Sequence, residues 1–318
     1  MWIFRPILKQ MIWGGNKILS FRNLTSDLTN IGESWEISGL PGHETIVAEG
    51  SDEGLTLKEL IKKYGTALLG ENNFKKYGDR FPVLVKIIDA GNDLSVQVHP
   101  DDKVALDLGA DKGKNEMWFF LKTDDESFII DGFNKDISYI QCEDLLYSGN
   151  INSILNEISV KEGDAFFIPS GRVHAIGKGS MLVEIQETSD VTFRLYDYDR
   201  KDHNGHPRDL HIKEGLKAID FNSRQESRID YNQEAEESNL LSHSSFTINL
   251  LKTDKPLSRN YKDRDSFVIL TCIGGTAAIE DDSEKIIIKP GESVLIPASC
   301  KKIFINPESS FKALETYI

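Results

Sequence analysis

One short pattern occurs twice in the chain and constrains its fold more than any other feature. The pattern Lys-x-Gly-(x5)-Pro spans residues 161–169 and again residues 289–297. In each copy the glycine suits a turn, the residues after it form an apolar strand and the proline closes that strand. Such a unit is one hairpin of a small antiparallel barrel. Its repetition therefore predicts two related β-barrels in tandem.

Much of the rest of the chain also has the sequence pattern of short β-strands. Short runs that alternate apolar and polar residues, separated by Gly, Pro and Asn or Asp, cover residues 81–88, 127–131, 160–168 and 266–273. This period of two is typical of half-buried strands, so we predict a mainly β protein.

Helical spacing is confined to three stretches of the N-terminal half. The clearest begins at Thr56, where Thr56 and Glu59 have the spacing of a capping box. Residues 101–108 and 151–158 show weaker helical patterns. We interpret all three as short helical insertions that decorate a β core.

The polar stretch 222–238, rich in Glu, Gln, Asn and Ser, is the natural linker between the two barrels. We therefore predict a catalytic domain at residues 1–230, with the helical insertions, and a C-terminal domain at residues 231–318. The second copy of the repeat is followed by Ala298, Ser299 and Cys300, without a histidine. We expect the C-terminal domain to bind no metal.

Charge and composition exclude several classes of partner. The chain has 51 acidic and 37 basic residues and a formal net charge of −14, which disfavours nucleic acid and anionic membranes. It has three cysteines without metal-like pairing, no secretion signal and no apolar run of the roughly 20 residues that span a bilayer. We expect a cytoplasmic protein that acts on a small molecule; the sequence does not indicate its oligomeric state. A phosphorylated ligand would need a local group of Arg and Lys.

The first candidate ligands lie on one predicted strand. Alternation puts Ser95, Gln97 and His99 on the same face, with valines on the other. Glu116 begins a strongly apolar strand further on. Taken alone, such a Gln–His pair is more often structural, and a carboxylate at a strand start is often only solvated.

The third element is more specific. In residues 163–174 the spacing Gly-(x5)-Pro-x-Gly-x-x-His ends at His174 and matches the second signature of the cupin superfamily, whose histidine is a metal ligand. Read together, Gln97, His99, Glu116 and His174 supply an amide oxygen, two imidazoles and a carboxylate. This mixed set suits Zn²⁺, although Fe²⁺ and Mn²⁺ fit the same ligand types.

Five ordered motifs extend the resemblance to a single family. They lie at residues 32–38 (GESWEIS), 97–102 (QVHPDD), 114–118 (KNEMW), 184–186 (EIQ) and 189–200 (SDVTFRLYDYDR). They resemble type I phosphomannose isomerases, and the last two resemble the short bacterial branch. The resemblance implies tandem cupin (jelly-roll) barrels and one zinc per chain, held by the four candidate ligands. It also implies interconversion of mannose 6-phosphate and fructose 6-phosphate.

Aldose–ketose isomerisation moves a proton between C1 and C2 through an enediol, so the site needs an acid/base group. Glu184 stands where members of the family carry a glutamate and is the preferred candidate. The alternative is a strand carboxylate paired with a neighbouring cation. Lys114 lies two residues from Glu116, on the same strand face, and is a second catalytic candidate.

Arg194 is the third catalytic candidate. By alternation it shares a strand face with Thr192, Tyr196 and Tyr198, inside the barrel. A buried arginine needs an anion, either substrate or an internal carboxylate. Lys114, Arg194, Arg200 and Ser95 are the predicted substrate-binding residues. Longer members of the family carry a lysine at the place of Arg200. The positive charge is therefore retained at this position, but the contact made by that lysine is not assigned to Arg200.

Two other classes of protein remain open at this stage. A cupin dioxygenase using Fe²⁺ would share the barrel and the histidines, but would more often have a His-rich ligand set. A non-catalytic cupin that senses a sugar phosphate is the other alternative. Retention of four metal ligands with Lys114 and Arg194 argues against loss of catalysis, and turnover distinguishes the two.

Overall fold

The computed structural model describes residues 1–110, 112–201, 204–221 and 226–318. The strands of the first two thirds of the chain are β1 (Trp2–Arg5), β2 (Ile7–Gly15), β3 (Ile31–Ile37), β4 (Ile46–Val47), β5 (Val83–Asp89), β6 (Val96–Val98), β7 (Glu116–Lys122), β8 (Phe128–Phe133), β9 (Leu155–Ser159), β10 (Ala165–Ile168), β11 (His174–Ile176), β12 (Met181–Glu187) and β13 (Phe193–Tyr196). The later strands are β14 (Glu237–Ser242), β15 (Thr247–Thr253), β16 (Leu257–Asn260), β17 (Val268–Gly274), β18 (Ala277–Glu280), β19 (Lys285–Ile288), β20 (Ser293–Ile296), β21 (Lys302–Pro307) and β22 (Phe311–Tyr317). The helices are α1 (Lys17–Arg22), α2 (Leu57–Tyr64), α3 (Thr66–Leu69), α4 (Glu71–Tyr77), α5 (Asp102–Asp107), α6 (Tyr139–Tyr147) and α7 (Ile212–Ala218), with a 3₁₀ turn at Ile151–Ile154.

The strands form four antiparallel sheets, two for each half of the chain. The N-terminal half has a six-stranded sheet in the order β10-β7-β12-β5-β3-β2 and a five-stranded sheet in the order β13-β6-β11-β8-β9. The C-terminal half has a seven-stranded sheet, β14-β15-β22-β17-β20-β1-β4, and a four-stranded sheet, β16-β21-β18-β19. The mainly β, cupin-type fold predicted from the sequence is confirmed.

The repeated pattern is explained by the turn that it encodes. Gly163 and Gly291 both have positive φ, 86° and 83°. Each is the third residue of a four-residue turn closed by a backbone bond to the carbonyl of its lysine, 3.0 Å from Asp164 N and 2.9 Å from Glu292 N. Positive φ at this position is the signature of a type II turn, which favours glycine. Each turn leads into the apolar strand that the sequence indicates. The strands before and after each turn lie in different sheets, so the prediction of a hairpin for this unit is wrong.

Two of the three predicted helices are confirmed and one is wrong. The side chain of Thr56 caps α2 in a capping box with Glu59, and α5 lies inside the predicted 101–108 stretch. Residues 151–158 instead form the 3₁₀ turn and strand β9, which pairs with β8 at a sheet edge. Their apolar spacing fits a helix, but the register with β8 decides the structure. No helix of the described ranges is long and apolar enough to cross a membrane.

The two halves share one apolar core. Phe81, beside the N-terminal sheet, packs against Phe267 of the C-terminal half, with ring centroids 4.6 Å apart. The N-terminal strand β1 also pairs with β20, with Trp2 opposite Leu295, and so extends the sheet of the C-terminal half. The segment between the halves, described from residue 226, runs along the N-terminal barrel, because Ile229 N donates to Ala165 O at 2.8 Å. Residues 222–225 of the predicted linker lie outside the described residues, and the boundary at 230/231 stays a prediction.

Candidate metal centre

The register of the five-stranded sheet lines up three of the predicted site residues. His174 on β11 lies opposite Gln97 on β6, and Gln97 lies opposite Arg194 on β13. Val96 and Val98 enter the apolar cluster on the outer face of this sheet. Directly opposite residues of antiparallel strands project to the same face. Gln97, His174 and Arg194 therefore project into the barrel together.

Glu116, on β7 of the six-stranded sheet, lies close to the histidines of this group. Its carboxylate lies 3.1 Å from His99 Nε2 and 3.8 Å from His174 Nε2. The amide nitrogen of Gln97 is 3.2 Å from His174 Nε2. The amide oxygen and nitrogen can exchange places by a flip, which would present the oxygen as a ligand. All of His99, Glu116 and His174 are buried, and their ligand atoms lie within 4.8 Å of one another.

These separations suit a tetrahedral ion. With metal–ligand bonds of about 2.0–2.2 Å, neighbouring ligand atoms are about 3.3–3.6 Å apart. The outer nitrogens of both imidazoles are already fixed, because His99 Nδ1 is 2.8 Å from Val191 O and His174 Nδ1 is 2.8 Å from Arg172 O. Such bonds hold a ligand imidazole in the tautomer that presents Nε2 to a metal. The residues present therefore fit a bound metal.

The protonation states fit as well. Burial, reinforced by the positive charge of Lys114, lowers the pKa of His99 to about 4. Burial also lowers the pKa of His174. Burial alone would raise the pKa of Glu116, but Lys114 and His99 outweigh it and hold that pKa well below its usual range. At neutral pH the group offers two neutral imidazoles and a carboxylate, the forms that bind metal.

Lys114 lies within the same group. Its Nζ is 2.6 Å from Glu116 Oε1 and 3.5 Å from His99 Nε2, and its side chain is buried. A cation is therefore placed next to the candidate metal ligands, where it can stabilise negative charge that develops on a bound substrate.

Glu184 lies one strand further along the six-stranded sheet. Trp118 connects it to the metal group, because its indole Nε1 is 3.2 Å from both Glu116 Oε2 and Glu184 Oε2. Glu184 also lies opposite Lys86 on β5, and Lys86 Nζ is 2.8 Å from Glu184 Oε1. Both side chains are buried. The pairing with a cation that the sequence left open is present, within the candidate site itself.

Lys86 is a site residue that the sequence analysis missed. Burial lowers its pKa, but Glu184, Glu33 and Glu116 outweigh that effect and raise the pKa above its usual value, so the ammonium stays charged. The available signal was a lysine inside the otherwise apolar strand β5. A buried lysine needs an anionic partner, but the sequence does not show which one.

The other predicted residues lie further from the metal group. Ser95 is buried immediately before β6. Arg194 is partly exposed and its Nη1 donates to Asp209 O at 2.7 Å. Arg200 donates to the carboxylate of Asp197.

A β-bulge between Arg194 and Tyr196 interrupts the alternation expected along β13, so Tyr196 pairs with Val96 and packs on the outer cluster. The prediction that Arg194 and Tyr196 lie on the same strand face is therefore wrong.

A cleft of about 1040 Å³ reaches the site from the side of the C-terminal half. Lys114 and Val191, which contact the candidate ligands, line it, and His243 of the C-terminal half lines its far wall. Within the described residues, His99, Glu116 and His174 are the one group of three metal-binding side chains close enough to share an ion. The C-terminal repeat has Lys302 at the place of the ligand histidine.

A β-barrel that encloses two histidines and a glutamate, followed by a second barrel, defines a cupin protein with a candidate metal centre. Residues 2–136 match the model of the phosphomannose isomerase type I catalytic domain, and residues 236–311 match that of the mannose-6-phosphate isomerase cupin domain. The mannose-6-phosphate isomerase ManA of Bacillus subtilis is 34% identical over 298 residues, which cover 92% of each chain. The chain belongs to the family of type I phosphomannose isomerases.

Other relatives agree along the whole length. A mannose-6-phosphate isomerase of Streptococcus mutans is 32% identical over 296 residues, 92% of this chain and 91% of the relative. The crystal structure of the mannose 6-phosphate isomerase from Bacillus subtilis has a TM-score of 0.89 at 29% identity and covers 100% of this chain and 99% of its own. A phosphomannose isomerase from Salmonella typhimurium shares the fold, with a TM-score of 0.83 at 18% identity over 100% of this chain and 99% of its own.

Proposed function

We propose that this isomerase interconverts D-mannose 6-phosphate and D-fructose 6-phosphate in the cytoplasm, with one Zn²⁺ per chain held by Gln97, His99, Glu116 and His174. The main support for the proposal is that two buried groups of side chains are connected by hydrogen bonds. The candidate metal ligands and the Glu184–Lys86 pair meet through Trp118 inside one barrel. The names of the relatives in Bacillus and Streptococcus support the choice of substrate.

Zinc is preferred because the set mixes two imidazoles with oxygen ligands at separations that suit a tetrahedral ion. When bound, the ion would supply Lewis acidity to the sugar carbonyl. With no more than four protein ligands, a substrate oxygen has room to approach.

Glu184 moves the proton in the proposed mechanism. Its carboxylate takes the proton from C2 of the open-chain aldose, which leaves an enediolate with negative charge on O1. A proton then passes from O2 to O1, and the protonated Glu184 returns its proton to C1 to give the ketose. Lys86 holds Glu184 in place through the 2.8 Å contact, and Trp118 donates to its other oxygen. Burial of the pair excludes bulk water, which would otherwise exchange the proton.

Positive side chains stabilise the charge that develops during this transfer. Lys114 lies close enough to the metal group to neutralise an enediolate oxygen. Arg194 projects into the same barrel, where it would bind the phosphate or the enediolate, and we assign Arg200 and Ser95 to substrate binding beside it. The net charge of −14 makes this local concentration of cations necessary for an anionic substrate.

A coupled assay on mannose 6-phosphate, with metal analysis of the same sample, tests the proposal. We expect turnover with about one zinc per chain and loss of activity on chelation. Activity that requires O₂ would favour the cupin dioxygenase. Binding of the sugar phosphate without turnover by the zinc-loaded protein would favour the sensor, and a second bound zinc would contradict a metal-free C-terminal domain.

The Arg194→Lys variant tests the role of this arginine. Lysine keeps the charge but loses the planar fork that binds an oxyanion through two donors. We expect kcat/KM to fall at least about tenfold, equivalent to roughly 1.4 kcal/mol of transition-state stabilisation, with zinc retained. Steady-state kinetics measures the fall in kcat/KM, and metal analysis measures the retained zinc. A large drop in the unfolding midpoint of the zinc-loaded variant would instead assign Arg194 to the fold.

A further inference from the structure

A cluster of arginines surrounds Asp197, in the segment that follows Arg194. Asp197, which is buried, accepts hydrogen bonds from Arg200 and from Arg208. Arg208 uses two nitrogens, with Nε 2.8 Å from Oδ2 and Nη2 on Oδ1. Arg208 comes from a different segment of the chain, immediately before Asp209, whose carbonyl accepts from Arg194.

The backbone that carries Asp197 and Arg200 is a tight turn. Tyr198 and Asp199 both have positive φ, 56° and 53°, and Arg200 N donates to Asp197 O at 3.1 Å. Two consecutive positive φ values are typical of a type I′ turn, and residues other than Gly, Asn and Asp rarely adopt them. Strain of this kind persists where the surroundings fix it, and it is concentrated at functional sites. Here it holds Arg200 and its carboxylate anchor together.

Arg194 has an unused donor within this cluster. Burial and then repulsion from Arg208 lower the pKa of Arg194, while Asp197 and Asp209 act in the opposite direction. Among the described residues, the buried Nε of Arg194 has no hydrogen-bond partner. An added anion would accept a hydrogen bond from that donor.

We infer that Arg208, anchored by Asp197, is a specificity-determining residue that binds the phosphate group of the substrate together with Arg194 and Arg200. The inference rests on the proposed function for the identity of the substrate. Arg194 lies directly opposite the candidate metal ligand Gln97, so a sugar bound at the metal extends its far end toward this cluster. Because Asp197 holds Arg208 through two bonds, the guanidinium is oriented before the ligand arrives.

The geometry favours a phosphate over an uncharged sugar hydroxyl. A phosphate group presents several acceptor oxygens to the planar forks of guanidinium groups, and charge-assisted bonds of this kind are stronger than neutral ones. The partly exposed position of Arg200 and Arg208 also suits the terminal group of a sugar that enters the barrel with its other end first.

Binding of mannitol 6-phosphate and of mannitol to the zinc-loaded protein, measured by calorimetry, tests the inference. Neither ligand can be isomerised, and the ratio of their affinities reports the contribution of the phosphate. We expect the Arg208→Gln variant to bind mannitol 6-phosphate at least about tenfold more weakly, with binding of mannitol unchanged. KM for mannose 6-phosphate should rise by a similar factor while kcat changes less than about threefold, and Arg208→Lys should recover part of the loss.

The Arg228→Gln variant is the matched control. Arg228 also pairs with an aspartate, Asp164, and is likewise partly exposed, but it lies in the segment between the two halves. We expect no change in the affinity ratio for this variant. A wild-type protein that binds mannitol and its phosphate equally, or an Arg208→Gln variant that only loses stability, would overturn the inference. Wild-type binding of mannitol 6-phosphate without turnover of mannose 6-phosphate would instead reject the proposed function and leave this site standing.

Discussion

The His174→Ala variant is expected to lose its metal and to lower kcat/KM by at least about 10³-fold, which is roughly 4 kcal/mol. His174 is fully buried and oriented by the carbonyl of Arg172, so the variant loses a ligand that the fold holds in place. Loss of residues that only support a metal ligand already weakens binding about 10- to 100-fold, and loss of a ligand should exceed that. Metal content after gel filtration and the coupled assay measure the two effects.

A control is needed because His174 also packs against Trp118, with ring centroids 5.5 Å apart. Thermal unfolding of wild type and variant, both stripped of metal, separates lost packing from lost ligation. His243→Ala is the matched histidine variant, since His243 packs on Phe167 outside the metal group. It should retain its metal. Stoichiometric zinc in His174→Ala would show that the ligand assignment is wrong.

Local sequence patterns were sufficient for the centre of the candidate site. Alternation along one strand brings Gln97 and His99 to the same side, and the match to the cupin signature indicates His174. Both patterns span few residues, so they can be recognised in the local sequence.

Contacts between strands that are distant in the sequence could not be predicted from such local patterns. The partner of Glu184 is Lys86 because β12 and β5 pair in one particular register, and no local pattern encodes that register. The same holds for the contact of Arg208 with Asp197 and for the pairing of β1 with β20. The bulge that separates Arg194 from Tyr196 also has no turn residue to mark it. The surroundings of the acid/base and phosphate candidates therefore needed the structure.

The Glu184→Gln variant is expected to lower kcat about 10²- to 10⁴-fold, the range that a general acid/base group contributes, while zinc is retained. Glutamine keeps the shape and one acceptor of the side chain but cannot take up the proton. Transfer of deuterium from C2 of a substrate labelled at that carbon to C1 of the product, followed by proton NMR, reports the step directly. The rate of this transfer should fall by the same factor as kcat.

The variant also leaves Lys86 buried with one partner fewer, and breaking a buried ion pair costs about 3–5 kcal/mol of stability. Glu36→Gln is the matched control for this effect. Glu36 is buried and pairs with Arg22 at 3.0 Å, on another part of the fold. Both variants should unfold at lower temperature than wild type, but only Glu184→Gln should lose turnover when assayed well below its midpoint. If the two variants retain similar kcat, Glu184 stabilises the fold and another group moves the proton.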